Sequence, residues 1–158
     1  MQKLNWKVYT LSIFIAELVG ILAAIITKDG ISTYSMTAEK VPFSPPAIVF
    51  PIVWTILYAL MGISAARVWL AEESLERTHA LRIYAAQLVV NFFWSIIFFN
   101  AEAYGLAIIW ILILWLLIIA MIKSFMKVDK FAAKLQIPYL VWVTFATVLT
   151  IGIWIVNK

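Results

Sequence analysis

Three aromatic segments hold the side chains of this 158-residue chain most able to do chemistry. In the first, Pro42-Phe43-Ser44-Pro45-Pro46 leads into Phe50-Pro51-Ile52-Val53-Trp54-Thr55-Ile56-Leu57-Tyr58. Phe50, Trp54 and Tyr58 recur at every fourth position, so on a helix they share one face. The chemistry open to such a face is stacking on a flat apolar molecule, with indole and phenol groups free to hydrogen-bond. The same residues also suit the Trp/Tyr belt that anchors membrane helices at the interface. Pro45-Pro46 cannot sit inside a regular helix and marks a loop turning into one. Pro51, about one turn in, predicts a tightening or kink.

The second segment places Tyr84, Gln87, Asn91, Trp94 and Phe98 three or four residues apart, again a single stripe. Two amides in apolar surroundings need partners, so they must face protein or a cavity. Interhelical hydrogen bonding and the polar part of a ligand site are both open. In the third segment, Tyr139, Trp142, Ala146 and Leu149 share a face, and the small Ala146 leaves space beside the indole. Pro138 removes one backbone donor near the start of that helix and predicts a bend there.

Glu17 stands alone in an apolar run, with no cation near it in sequence. An ionisable group at that depth is a functional candidate by default. A protonated carboxyl, a hydrogen bond to Gln87 or Asn91, a watered recess and simple helix packing are all compatible with it. One carboxyl is not a catalytic pair, and no acid–base role follows. The chain has no Cys and one His, His79. That excludes disulfides, thiolate catalysis and multi-histidine metal or haem ligation.

The elements that must position these groups follow from composition. Hydrophobic residues make up 65% and charged residues 13%, with a mean hydropathy of +1.02. Soluble domains run at about 45–50% apolar, so this surface is not made for water. Spans of about 20 residues cross the bilayer core. Runs of that size occur at about 8–27, 47–70, 80–100, 104–126 and 132–156, which predicts an all-α membrane protein, a five-helix bundle in one domain over 1–158. Lys3 and Lys7 precede the first run as in a signal peptide. Its length, Glu17 and the lack of a small-residue cleavage site identify it instead as a retained helix.

Small residues four apart, Gly20/Ala24, Gly62/Ala66 and Ala101/Gly105, permit close helix approach. Glu72, Glu73, Glu76, Arg77, Arg82 and His79 form a solvated connector between the second and third spans, with Glu73–Arg77 spaced for a local ion pair.

The net charge of +4 does not imply nucleic acid, because its distribution follows topology. Lys3, Lys7, Arg67, Arg77, Arg82, Lys123, Lys127, Lys130 and Lys134 fall on one side, and Lys28, Lys40 and Lys158 on the other. Nine against three predicts the N-terminus in the cytoplasm and the C-terminus outside. The 28–46 loop then covers the outer mouth of any pocket.

Taken in order, Pro-Phe-Ser-Pro-Pro with Phe50-Pro51-x-x-Trp54-x-x-Leu57-Tyr58, then Gln87-Leu88-x-x-Asn91-x-x-Trp94-Ser95-x-x-Phe98-Phe99, then Pro138-Tyr139-x-x-Trp142-x-x-Phe145-Ala146-x-x-Leu149, the chain resembles the translocator protein family. That family is also called the tryptophan-rich sensory protein or peripheral benzodiazepine receptor family. The resemblance covers most of the chain. It implies an integral protein of a bacterial cell membrane, commonly a homodimer in the lipid bilayer. The implied ligands are porphyrins, such as protoporphyrin IX or a haem-related tetrapyrrole, and synthetic isoquinoline-type compounds, with no required cofactor.

By motif position, the resemblance makes Trp54 and Trp142 pocket walls, Tyr58, Asn91, Trp94, Ala146 and Leu149 further lining, and Tyr34 a lid residue. It implies a receptor or sensor first. Light-dependent porphyrin breakdown, with Trp54 and Trp142 as the catalytic residues, or tetrapyrrole transport, with Glu17 as a coupling group, are the alternatives. Porphyrin propionates are expected to meet Lys28 or Lys40 at the outer mouth.

There are departures from the family pattern: Lys40-Val41-Pro42 replaces Lys-Pro, Thr33 replaces a tryptophan, and Thr150 replaces an asparagine. No tyrosine follows Leu149, so the sterol-linked pattern is missing and sterol binding is not supported.

Overall fold

A computed structural model describes residues 5–158; Lys3, counted above on the inner side, lies outside the described residues. The helices are α1 (Trp6–Ile26), α2 (Lys28–Thr37), α3 (Val49–Trp69), α4 (Leu75–Ser95), α5 (Tyr104–Val128), α6 (Lys130–Lys134) and α7 (Ile137–Val156), with a π-helical turn at Ile96–Asn100 extending α4. Among the described residues, five segments are long and apolar enough to cross a bilayer: Trp6–Ile26, Val49–Trp69, Leu75–Asn100, Tyr104–Val128 and Lys130–Val156. The all-α, five-span membrane bundle is therefore what the chain forms.

Local chemistry sets the ends. The Asn5 side chain accepts from the Val8 N–H, Ser74 accepts from Arg77 and Asp129 accepts from Ala132, so polar caps start α1, α4 and α6. α4 begins five residues before the expected position 80 because Ser74 caps it and the polar turn after it is helical. Two proline expectations are corrected. Pro51 and Pro138 both lie in the first turn of their helices, where no intrahelical donor is needed, so neither breaks a hydrogen bond or forces a kink. The 28–46 segment is also not a plain loop, since its first ten residues form α2.

Glycines set the closest contact. A Cβ on Gly62 would run into the backbone of Ile13, and one on Gly20 would meet the Tyr58 ring at 2.5 Å. These positions seat α1 against α3. α4 packs on α5, and α5 on α7. α3 and α7 scarcely meet through their backbones, and side chains fill the distance between them. Leu11, Phe14, Leu18, Ile21, Leu22 and Ile25 on α1 point outward, as lipid-facing residues do.

At one end of the bundle, Arg67 pairs with Asp129 at 2.8 Å. One turn deeper, Ser64 donates to the Ala132 carbonyl at 3.0 Å and Gln136 donates to Ser64 Oγ at 2.6 Å. These contacts tie α3 to the α6–α7 junction. The expected Glu73–Arg77 pair forms at 3.4 Å.

Candidate functional site

The apolar interior divides into two clusters. The larger is built on Leu57, Tyr58, Met61, Leu88, Leu114, Ile118, Tyr139, Val143 and Ala146 among others. The smaller holds Val41, Phe98, Ala107, Leu149 and Ile153. Trp54 and Trp142 pack against the first, Tyr34 and Phe50 against the second, and Trp94 against both. Trp94 is therefore shared by the two clusters, with Trp54 and Trp142 on one side of it and Tyr34 and Phe50 on the other.

Across the α3–α7 gap, the Phe50 and Trp142 rings meet edge-on at 5.8 Å, and the Trp54 and Tyr139 rings at 6.3 Å. Trp54 also lies 5.6 Å from Tyr58, its neighbour one turn along. On α4, Trp94 stacks on Phe98 at 5.1 Å. Tyr34, on α2, caps this stack, with its ring 5.4 Å from Phe98 and 5.5 Å from Phe99. Burial, and secondarily Tyr104, pushes the Tyr34 phenol above its ordinary value, so this side chain is neutral.

Below the rings lies a closed polar network. Tyr58 donates to Asn91 Oδ1 at 2.8 Å, Asn91 Nδ2 donates to Tyr139 Oη at 2.7 Å, and Tyr139 donates to Gln87 Oε1 at 2.7 Å. Gln87 Nε2 contacts Met61 Sδ at 3.9 Å. Of the two readings of Asn91 and Gln87, interhelical bonding is the one their geometry displays. Both amides are buried, and their bonds lead to α3 and α7. They form a floor under the aromatic residues. Ala146 and Leu149 are buried on the adjoining turns of α7.

Two pairs of indoles contrast. Trp110 Nε1 donates to the Val90 carbonyl at 2.8 Å, and Trp115 Nε1 donates to Thr144 Oγ1 at 2.9 Å. The indole N–H groups of Trp94 and Trp142 are buried and make no hydrogen bond among the described residues. Buried donors are nearly always satisfied, so the Trp94 and Trp142 indoles stand out as donors without an acceptor, as the Tyr84 hydroxyl and Arg67 Nε do elsewhere in the bundle.

Three expectations change. Lys40 is not free to meet an incoming carboxylate, because its ammonium donates to the carbonyls of Tyr34, Ser35 and Ala38 and sits over the Tyr34 ring. It closes the C-terminal end of α2. Glu17 does not bond Gln87 or Asn91; it is half-buried and makes no hydrogen bond or ion pair among the described residues. The stripe from Tyr84 to Phe98 is not a plain α-helix throughout, since it ends in the π-turn.

Several residues escaped the sequence reading. Phe99 touches Tyr34, Phe145 packs on Trp142, and Asn100 Nδ2 donates to the Ile26 carbonyl at the end of α1 at 3.1 Å. Asn157 holds the segment after α2 through Glu39. Phe99 and Phe145 were visible as aromatics inside the motifs. Nothing in the sequence marks the pairing of Asn157 with a residue so far from it.

Comparison with known proteins agrees with this architecture. Residues 12–155 match the TspO/MBR family model. The chain is 33% identical to the tryptophan-rich protein TspO of Chlorobaculum tepidum over 98% of this chain and 99% of that one. It is 40% identical to a tryptophan-rich sensory protein of Cereibacter sphaeroides over 66% of this chain and 65% of that one. It is 32% identical to the translocator protein of Ovis aries over 84% and 79%, respectively. The chain belongs to the TspO/MBR family and is an integral membrane protein.

Proposed function

We propose that this protein is a membrane receptor or sensor whose ligand is a tetrapyrrole held in the aromatic boundary between α3, α4 and α7. One observation carries the reading: the unpartnered indole N–H groups of Trp94 and Trp142 flank rings that bridge two backbones standing apart. A porphyrin offers a broad π-face to the indoles and carboxylates able to accept from their N–H groups. The floor of Tyr58, Asn91 and Tyr139 uses its polar atoms internally, which suits a mainly apolar ligand face above it. The name of one relative, tryptophan-rich sensory protein, supports a sensor role. The excess of basic residues at the Arg67–Lys134 end favours that end as cytoplasmic, with α2 and Tyr34 outside.

The test is a titration of the purified protein with protoporphyrin IX, following tryptophan fluorescence. Saturable quenching is expected, and it should weaken strongly in a Trp54→Phe/Trp142→Phe double variant. Quenching that does not saturate, or that is equal in the double variant, rejects the site.

A further inference from the structure

Far from the aromatic boundary, the first turn of α4 and the last turn of α5 enclose a cleft of about 220 Å³ lined by Leu75, Glu76, His79, Ser124 and Lys127. Glu76 and His79 are three residues apart on α4, and Ser124 and Lys127 three apart on α5, so each helix turns one pair towards the cleft. None of these four polar side chains makes a hydrogen bond or ion pair among the described residues. The neighbouring Arg77 differs, engaging Glu73 and the Trp69 ring.

Position narrows the occupant. The membrane-spanning segments Leu75–Asn100 and Tyr104–Val128 begin and end here, so the cleft lies where hydrocarbon gives way to headgroups. Leu75 is 87% exposed at its rim, available to an acyl chain. Basic clefts between membrane helices commonly hold lipid headgroups. This one is not simply basic, because Glu76 would repel a purely anionic headgroup. A carboxylate facing an ammonium, a hydroxyl and an imidazole complements a group that carries both a phosphate and a primary amine.

We propose that this cleft binds the headgroup of an aminophospholipid. Lys127, Ser124 and His79 donate to the phosphate, and Glu76 accepts from the amine. A quaternary choline has no N–H to give Glu76, so the cleft distinguishes the two zwitterions. Free phosphoethanolamine shares the headgroup's chemistry, but the position of the cleft at the ends of two spans and the exposed Leu75 favour the lipid.

The experiment is native mass spectrometry of the detergent-solubilised protein, titrated with phosphatidylethanolamine, phosphatidylcholine and phosphatidylglycerol of identical chains. Phosphatidylethanolamine should be retained about tenfold more tightly than phosphatidylcholine. Lys127→Met and Glu76→Gln should each remove about that factor for phosphatidylethanolamine, with melting unchanged. Glu76→Gln should leave phosphatidylglycerol binding undiminished. Equal retention of all three lipids, or full retention of phosphatidylethanolamine by both variants, overturns the proposal. Displacement of the lipid by an equal concentration of soluble phosphoethanolamine overturns the choice of a lipid occupant.

Discussion

Asn157 holds Glu39 by both ends of its carboxamide: the Glu39 N–H donates to Oδ1 at 2.9 Å, and Nδ2 donates to the Glu39 carbonyl at 2.8 Å. The side chain imitates one rung of a β-ladder and fastens the segment after α2 to the end of α7. Val41 and Phe43 then lie over Gly152, whose missing side chain makes room for them. Because Asn100 bonds the Ile26 carbonyl at the end of α1, the segment bearing Tyr34 is held on both sides. Asn157→Ala should release one of them. A net hydrogen bond is worth about 1 kcal/mol, so amide exchange at Glu39 and its neighbours should rise about fivefold, with little change in global melting. Unchanged exchange would mean that apolar packing of Val41 alone secures the segment.

The polar floor predicts a contrast between two tyrosines on facing helices. The Tyr139 hydroxyl both accepts from Asn91 and donates to Gln87, whereas the Tyr84 hydroxyl is buried without a partner. Tyr139→Phe leaves two buried amides short of a bond and should cost about 1–3 kcal/mol. Tyr84→Phe removes an unsatisfied group and should be neutral or stabilising. Denaturant titration in detergent measures both, and equal losses in the two variants would contradict the network.

The features legible in the sequence are those fixed by period and composition. Five apolar runs gave the spans, and three- and four-residue spacing put Tyr84, Gln87 and Asn91 on one buried face. The proline entrances were legible as starts of helices, but not their harmlessness. Whether a proline breaks a bond depends on how many residues precede it in the helix, and Val49 and Ile137 begin only shortly before Pro51 and Pro138. The partners of Asn91, Asn157 and Lys40 were not legible. A polar side chain announces that it needs a bond, while the fold alone decides which atom supplies it. Lys40 shows this well: it was expected to await a carboxylate, but three carbonyls at the end of α2 surround its ammonium.

The glycines of α1 and α3 should be far less replaceable than the one that opens α5. A Cβ on Gly62 meets the Ile13 backbone, which cannot move without separating the helices, whereas at Gly105 the nearest atom is the Trp154 indole nitrogen at 3.2 Å, on a side chain that can yield. Gly62→Ala should therefore lose about 1–3 kcal/mol, the range for overpacking. Gly105→Ala should be close to neutral, because its improved helix propensity offsets a small shift. Thermal unfolding of the two variants in the same detergent checks the order. A Gly105→Ala loss as large as that of Gly62→Ala would mean that the Trp154 side chain cannot yield, and a negligible Gly62→Ala loss would mean that the α1–α3 approach is looser than this geometry.

Acid should unfasten the charged end of the bundle before the aromatic boundary. Burial on its own would raise Asp129, but the Ala132 N–H and the Arg67 guanidinium outweigh it and hold the carboxyl below its ordinary 3.8. A carboxyl depressed in the folded state contributes stability that is fully present above its unfolded value and disappears as pH falls through the folded one. Asp129→Asn keeps a cap for α6 but loses the ion pair. The variant should be less stable than the parent at neutral pH, and the gap between them should close as the pH falls below about 4. Unfolding midpoints followed from pH 7 into this range test it. A gap that stays constant with pH would show that the Arg67–Asp129 contact acts through packing and capping rather than through charge.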